Sequence, residues 1–427
     1  MVGRLSHFFR RAMIQNILAL YGVHVANYLF PLLLVPYLAR VLGPKEWGLL
    51  AFTQAFGGYL NLLVEYGFGL SATREVAQWR DSLRRRAELL AEVLAAKGAL
   101  SLLTLGVALG VGNLIPAFRD HPGVLWAGVF WALATAYSPA WYFQGLERMR
   151  LMASLEVGAK ALVLGFIFLW VKGPGDAWKV LALQGGASLL ASAIGLYLAY
   201  REVPFLLPRV QGVLGALRQG WSMFFFRGAV SFYTLGNTFI LGLFAPPQAV
   251  GYYAGAEKIS KAFLGLLSPV SQALYPRLSH LARSAPLEAA RLARLGVWTM
   301  GLGGAILGLG VLALAPFWVR LFLGEGYEAA VLPLRILALL VPLIALSNVL
   351  GIQWMLPFGL DRPFNAIIVG AGLVNLGLAV LLAPHLQHVG MALAVVIAEL
   401  GVTLSMWLYL RRRGKDPFLL AASGGGR

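Results

Sequence analysis

Apolar residues run along this chain in stretches of about 20 to 28, broken by short polar turns. A helix rising 1.5 Å per residue needs roughly 20 apolar residues to cross a hydrocarbon core about 30 Å thick. Runs of that length predict twelve spans, at 13–41, 46–70, 88–115, 122–145, 151–171, 178–200, 217–244, 248–274, 295–322, 329–356, 364–383 and 389–410. The breaks carry turn chemistry: Gly43-Pro44-Lys45-Glu46, Arg119 to Gly123, Lys172 to Asp176 and Ala245-Pro246-Pro247-Gln248. No segment is long and polar enough to fold as a soluble domain. The expected fold is an all-α polytopic membrane protein, with its function inside the bilayer or on short loops.

The pattern occurs twice. Shifting residues 37–74 by 203 positions without gaps puts Pro44 on Pro247, Gly48 on Gly251, Ala51 on Ala254 and Arg74 on Arg277. A second match, at an offset of 214, puts Gly145-Leu146-Glu147-Arg148 on Gly359-Leu360-Asp361-Arg362. Matched elements keep their order and, with six spans between equivalents, their orientation. Two six-helix lobes related by a parallel repeat are therefore expected. The longest break, Arg201 to Arg218, is basic and interrupted by proline, and it sets the seam between lobes at 1–205 and 206–427.

Composition agrees with this reading. Of 427 residues 59% are hydrophobic and 12% charged, with a mean hydropathy of +0.74. The absence of cysteine excludes disulfides, thiolate metal sites and thiol catalysis. Arg4, Arg10 and Arg11 precede an apolar run as in a signal peptide, but no small-residue cleavage pattern follows, so the run reads as a retained first span. A net charge of +17 would suit a nucleic-acid partner. Its distribution points elsewhere: alternate loops and both termini hold 23 basic residues, against only Lys45, Arg119, Lys172, Lys179 and Arg320 on the opposite side. By the positive-inside rule both termini are cytoplasmic, and no nucleic-acid partner is needed.

Charges within spans cost about 2.5 to 3.5 kcal/mol at mid-membrane, so they face a partner or a cavity. Span seven holds Arg227, and span eight holds Glu257, Lys258 and Lys261. Counting from the outer turn places Arg227 and Lys261 about 20 to 25 Å deep, with Lys258 nearer the middle, so three cations can share one level. Glu257 and Lys261, four apart, are spaced to pair. At the offset of 203, Arg227 corresponds to His24, with Asn27 and Tyr28 about a turn away. His24 reads either as a hydrogen-bonded packing residue or as a proton carrier. Gln54, Asn61 and Glu65 form one helical stripe in span two, a polar lining. Glu399 stands alone in span twelve, as a neutral core residue or a coupling carboxylate. Arg335 either snorkels or faces the cavity. Glu92 with Lys97, and Glu156 with Lys160, read as structural pairs. Pro31, Pro36, Pro139, Pro269 and Pro342 fall within spans, where they kink helices, and Gly301-Leu302-Gly303-Gly304 reads as a close-packing face. The chain lacks HExxH, GxSxG and Walker A signatures, and no enzyme, metal site or cofactor is expected.

Pro36-Tyr37-Leu38-Ala39-Arg40, Leu42-Gly43-Pro44, Trp47-Gly48, Glu65-Tyr66-Gly67-Phe68 and Ser71-Ala72-Thr73-Arg74 resemble the first helical pair of the Wzx-type bacterial polysaccharide flippases. Pro139, Trp141 and Phe143 to Glu147 resemble that family's fourth span, and Val250 to Ala254 with Lys258-Ile259 its eighth. The family is similar in fold to multidrug and toxin extruders and to lipid II flippases. The resemblance implies a bacterial or archaeal cytoplasmic (inner) membrane protein. It implies movement of an undecaprenyl-pyrophosphate-linked oligosaccharide to the outer leaflet by alternating access, coupled to H+ or Na+, among membrane lipids and polysaccharide assembly proteins. On this reading Arg227, Lys258, Lys261 and Arg335 compensate the pyrophosphate, while Gln54, Asn61, Glu65, Asn27 and Tyr28 line the sugar path. His24, Glu65, Glu257 and Glu399 are the ion-coupling candidates. A multidrug extruder of the same fold is the alternative, for which an acidic centre is expected; a membrane glycosyltransferase or polymerase ranks lower.

Overall fold

A computed structural model describes the backbone of residues 2–418 and, within it, the side chains of residues 30–225 and 236–418. His24, Asn27, Tyr28 and Arg227 lie outside the described side chains. Every regular element among the described residues is helical. The helices cluster into two compact units, one of residues up to 34 with 41–239, the other of residues 35–40 with the chain from 240 onward.

The first unit begins with α1 (Val2–Glu65), which contains the first predicted span and most of the second, and Gly43 separates them. Its φ of 73° and ψ of 170° lie where only glycine is unstrained, so one helix ends at Gly43 and a second starts at Pro44. After Tyr66 and Gly67, both at positive φ, α2 (Phe68–Gln78) carries the family-like Ser-Ala-Thr-Arg segment. Then come α3 (Leu83–Leu114), capped by the Ser82 hydroxyl, which accepts from the Arg85 amide, and the short α4 (Pro116–Asp120). The fourth predicted span is two helices, α5 (Pro122–Ala136) and α6 (Ala140–Gly145), with Pro139 at the break. Next are α7 (Met149–Trp170), α8 (Ala177–Tyr200) and α9 (Val210–Phe244). Glycine sets the contact of α5 with α8: a Cβ on Gly185 would meet the Phe130 ring at 2.6 Å.

The arginine-rich end of this unit is closed by an ionic cluster over an apolar core of Phe68, Val76, Leu90, Trp141, Tyr142 and Phe143. Arg86, only 6% exposed, donates to the Tyr142 hydroxyl, to Glu202 at 2.9 Å and to the Arg80 carbonyl. Arg148 donates to the other Glu202 oxygen. One carboxylate, on the segment after α8, thus joins a guanidinium from the first turn of α3 to one from the residue before α7.

In the second unit, α10 (Pro247–Gly265) and α11 (Ser268–Ser284) form the eighth predicted span and its extension. They are followed by α12 (Pro286–Ala313), α13 (Ala315–Phe322), a 3-10 turn (Glu328–Ala330), α14 (Val331–Leu337) and α15 (Leu340–Asn348). A π-helical turn (Val349–Met355) and α16 (Asp361–Arg412) complete the unit, with Gln387 at φ 46°, ψ −126° between the last two predicted spans. Residues 35–40 of α1 belong here: the Tyr327 hydroxyl donates to the Ala39 carbonyl at 2.9 Å, and Arg40 donates to the carbonyl of Leu321. Gly301, Gly304 and Gly308 bring α12 against α15, as the glycine face implied; a Cβ on Gly304 would meet Ala345 and Pro342 at 3.0 Å. Pro269 and Pro342 sit near helix starts, where the missing N–H costs nothing.

The repeat is less regular than the gapless match. From Pro44 the helix runs to Glu65, but from Pro247 only to Gly265, so the second copy breaks three residues early. The tetrapeptides at 145 and 359 also close their helices in different registers. The same two-bond cap forms at Glu147 (φ 60°), through Arg148 N to Phe143 O, and at Gly359 (φ 70°), through Leu360 N to Met355 O. The caps are 212 residues apart, not 214.

Six helices among the described residues are long and apolar enough to cross a membrane: Leu83–Leu114, Met149–Trp170, Ala177–Tyr200, Pro286–Ala313, Glu328–Met355 and Asp361–Arg412. Large apolar side chains along them are left uncovered by protein, such as Leu102, Leu169, Leu302 and Leu373. That is the inverse of a water-soluble exterior, and it makes the chain a membrane protein.

Candidate functional site

The charged segment of α10 follows from how that helix packs. Proline at its start is preorganised for helix, and Ala249, Val250, Tyr253, Ala254, Ala256, Ile259 and Ser260 are buried. The Ser260 hydroxyl donates to the Leu337 carbonyl at 3.1 Å, pinning α10 to α14. Positions 250, 254, 257 and 261 share one stripe, which opens along its length from buried Val250 and Ala254 through Glu257 to exposed Lys261. Glu257 and Lys261 pair at 3.1 Å, as their spacing implied, and the Tyr253 hydroxyl donates to Glu257 at 3.5 Å. Lys258 is exposed on the neighbouring flank, and no carboxylate among the described residues lies within ion-pair distance of it. One acid therefore answers two ammonium groups on one turn, leaving a net positive patch. Arg335 is exposed on α14.

In the first unit the polar stripe of α1 meets other helices. Gln54 donates to Gln184 of α8 at 3.2 Å, and Asn61 to the Ala132 carbonyl of α5 at 3.2 Å. Glu65 accepts from the Gly69 amide at 2.8 Å, capping the start of α2. All three remain partly exposed.

Lys97 is the residue that sequence reading misassigned. Glu92 is not its partner: Glu92 lies 4.0 Å from Arg85, about two helical turns further toward the arginine-rich end. Lys97, 1% exposed, donates to the Ala136 carbonyl at 2.6 Å. That carbonyl is open because α5 ends there, and the Ala140 amide that would have bonded it turns to the Ser138 hydroxyl. The ammonium thus sits at the negative end of a helix, where a cation is stabilised. The signal in the sequence was a lone mid-span lysine facing a span interrupted by proline.

Glu399 is 6% exposed and accepts from the Ser347 hydroxyl at 2.7 Å. Thr403, one turn on, donates to the carbonyls of Leu343 and Glu399. Beside this pair, α11 joins α15 and the π turn through a second polar cluster: Ser271 donates to Asn348 at 2.8 Å, and fully buried Gln353 donates to both at 3.0 Å. No periodicity announces it, because its members come from three helices.

Comparison with known proteins follows the same lines. Residues 13–282 match the model of a family described as polysaccharide biosynthesis protein. Over 399 residues, 93% of this chain and 96% of the relative, the chain is 32% identical to a protein of Escherichia coli (strain K12) described as an O-antigen transporter. A protein of Shigella dysenteriae with the same description is 29% identical over 92% of this chain and 98% of its own. In structure the chain resembles the lipid II flippase MurJ in an inward closed conformation, with a TM-score of 0.69 at 14% identity over 96% of this chain and 90% of that one. It also resembles an inward-facing multidrug resistance MATE family transporter of the MOP superfamily, with a TM-score of 0.64 at 13% identity over 91% and 98%. At such identities the two structures show the fold, which is that of MurJ and MATE transporters. With the match covering well over half its length, and a relative above 30% identity along nearly all of it, the chain belongs to the polysaccharide biosynthesis protein family.

Proposed function

We propose that this protein is a flippase that carries a polyprenyl-diphosphate-linked oligosaccharide across the cytoplasmic membrane by alternating access. The observation that carries the reading is the net positive patch of α10, where Lys258 and Lys261 share a turn with a single carboxylate, paired to Lys261, on a helix of a membrane protein. A diphosphate brings negative charge into a medium where charge is costly, and ammonium groups there offset it. The relatives' description as O-antigen transporters supports the glycan as cargo. The arginine-rich ends are then cytoplasmic, by the positive-inside rule. Arg227 and Arg335 are the further cations assigned to the diphosphate. Gln54, Asn61 and Glu65, with Asn27 and Tyr28, are assigned to the sugars. Glu65, Glu257, Glu399 and His24 are the candidates for coupling to H+ or Na+. Glu399 is the most enclosed of those described, buried and accepting from the Ser347 hydroxyl.

The test is transport of a fluorescent lipid-linked oligosaccharide in vesicles reconstituted with the purified chain. Lys258→Ala and Lys261→Ala should each slow transport at least tenfold without changing protein yield. Undiminished transport in the double variant would exclude the cationic patch from the mechanism. Export of organic cations with no movement of the lipid-linked glycan would point to an extruder instead.

A further inference from the structure

Two features of the second unit meet at its arginine-rich end. Tyr275, Ser279 and Arg283 follow one face of α11 at four-residue steps, and with His280, Leu356 and Pro357 they line an open pocket of about 700 Å³. No carboxylate lines it. The Ser279 hydroxyl oxygen is buried without a hydrogen-bond partner among the described residues, although buried hydroxyls ordinarily have one.

Charge is the second feature. In the first unit Arg80, Arg84, Arg85, Arg86 and Arg148 all lie within 4.0 Å of a carboxylate. In the second, Arg277, Arg283, Arg291 and Arg294 have no such partner among the described residues. Topology accounts for the arginines in both units, but it depends little on acidic residues. It leaves the contrast in neutralisation unexplained.

We infer that this pocket is an anion site for a phosphate ester presented at the membrane surface. The Arg283 guanidinium supplies the two-pronged donor that matches phosphate oxygens, the His280 imidazole a further N–H, and the Ser279 hydroxyl turns toward the anion to gain the partner it lacks. Two sources share that chemistry: an anionic phospholipid head group, or the diphosphate of the lipid-linked cargo. The second source rests on the transport reading above; the site itself does not. With the cargo as ligand, the pocket is a loading station at the surface, ahead of Lys258 and Lys261.

The experiment uses the full chain in phosphatidylcholine nanodiscs, titrated with farnesyl diphosphate, and in parallel nanodiscs containing phosphatidylglycerol, with retained lipid counted by native mass spectrometry. Arg283→Gln should weaken farnesyl diphosphate binding about tenfold, the loss of one charge-assisted hydrogen bond, while Arg84→Gln leaves it unchanged. Unchanged diphosphate binding with about tenfold less retained phosphatidylglycerol assigns the site to the head group and also supports it. If Arg283→Gln does not fold, the double variant Ser279→Ala, His280→Gln carries the same comparison with the arginine in place. Folded variants that alter neither readout overturn the site. Because Lys258 and Lys261 are untouched, failure here is distinct from failure of the transport reading.

Discussion

In the first unit, Arg86 is buried against Tyr142 and shares Glu202 with Arg148, while Arg84 and Arg85 share Glu88. In the second, Arg277, Arg283, Arg291 and Arg294 stand on α11 and α12 with no carboxylate in reach among the described residues. The two ends obey the same topological rule and are chemically opposite. One pairs five of its arginines with carboxylates and ties α3 to the segments beside α7 and α8 through Glu202; the other presents its arginines outward over an apolar core of Leu278, Ala289, Ala293 and Trp354. Burial obliges the pairing of Arg86, but Arg84 and Arg148 are paired while largely exposed, so what separates the two ends is whether a carboxylate such as Glu88 or Glu202 is placed beside the arginines.

Removing the shared acid should do most to break this contrast. Glu202→Ala leaves Arg86 buried without its counter-charge and should cost about 3 kcal/mol, read as a lower melting temperature of the purified chain. In the second unit the comparable weak point is apolar. Gly304→Leu would force α12 from α15, where a Cβ already meets Ala345 at 3.0 Å, and should cost about 2 kcal/mol. A smaller effect of opposite sign is expected at Gln387, whose φ of 46° belongs to the region only glycine adopts without strain. Gln387→Gly should stabilise by about 1 kcal/mol in the same assay. Arg283→Gln, exposed and unpaired, should change stability by less than about 0.5 kcal/mol, and a large loss would show that it too is structural.

The smallest effect is expected at the opposite end of the first unit, where Asp176 closes the turn between α7 and α8. Burial alone would raise its carboxyl, but the Lys179 ammonium at 2.7 Å and the amides of Lys172 and Gly173 outweigh that and hold it below the usual range. A carboxyl lowered by folding stabilises fully above its ordinary value near 4 and loses that contribution as pH falls through the lowered one. The melting difference between the native chain and Asp176→Asn should therefore be present at pH 6 and vanish near pH 2.

Local pattern carried further for elements than for partners. Span positions were legible because apolar run length is set by the bilayer, and helix occupies most of each predicted span, although the second, fourth, eighth, ninth and tenth are broken within their length. The Glu257 and Lys261 pair was legible because four residues make one turn. Lys97 was not, since its partner is a carbonyl released by a helix break 39 residues away, and the proline that marks the break does not say which side chain meets it. The register of the repeat fared in between. Pro44 and Pro247 match because prolines start helices, but the three-residue difference in helix length appears only once the helices have ends.

The residues alone determined that this chain lives in a bilayer, where its helices lie and which of their ends carry the arginines. Those properties follow from hydrophobic run length and charge distribution, both of which are one-dimensional. Tertiary structure decided which charges are spent and which remain. Arg86 and Arg283 look alike in sequence, each in a basic stretch near a helix end. Whether a guanidinium finds Glu202 or open space depends on which loops packing brings together, and no local spacing encodes that.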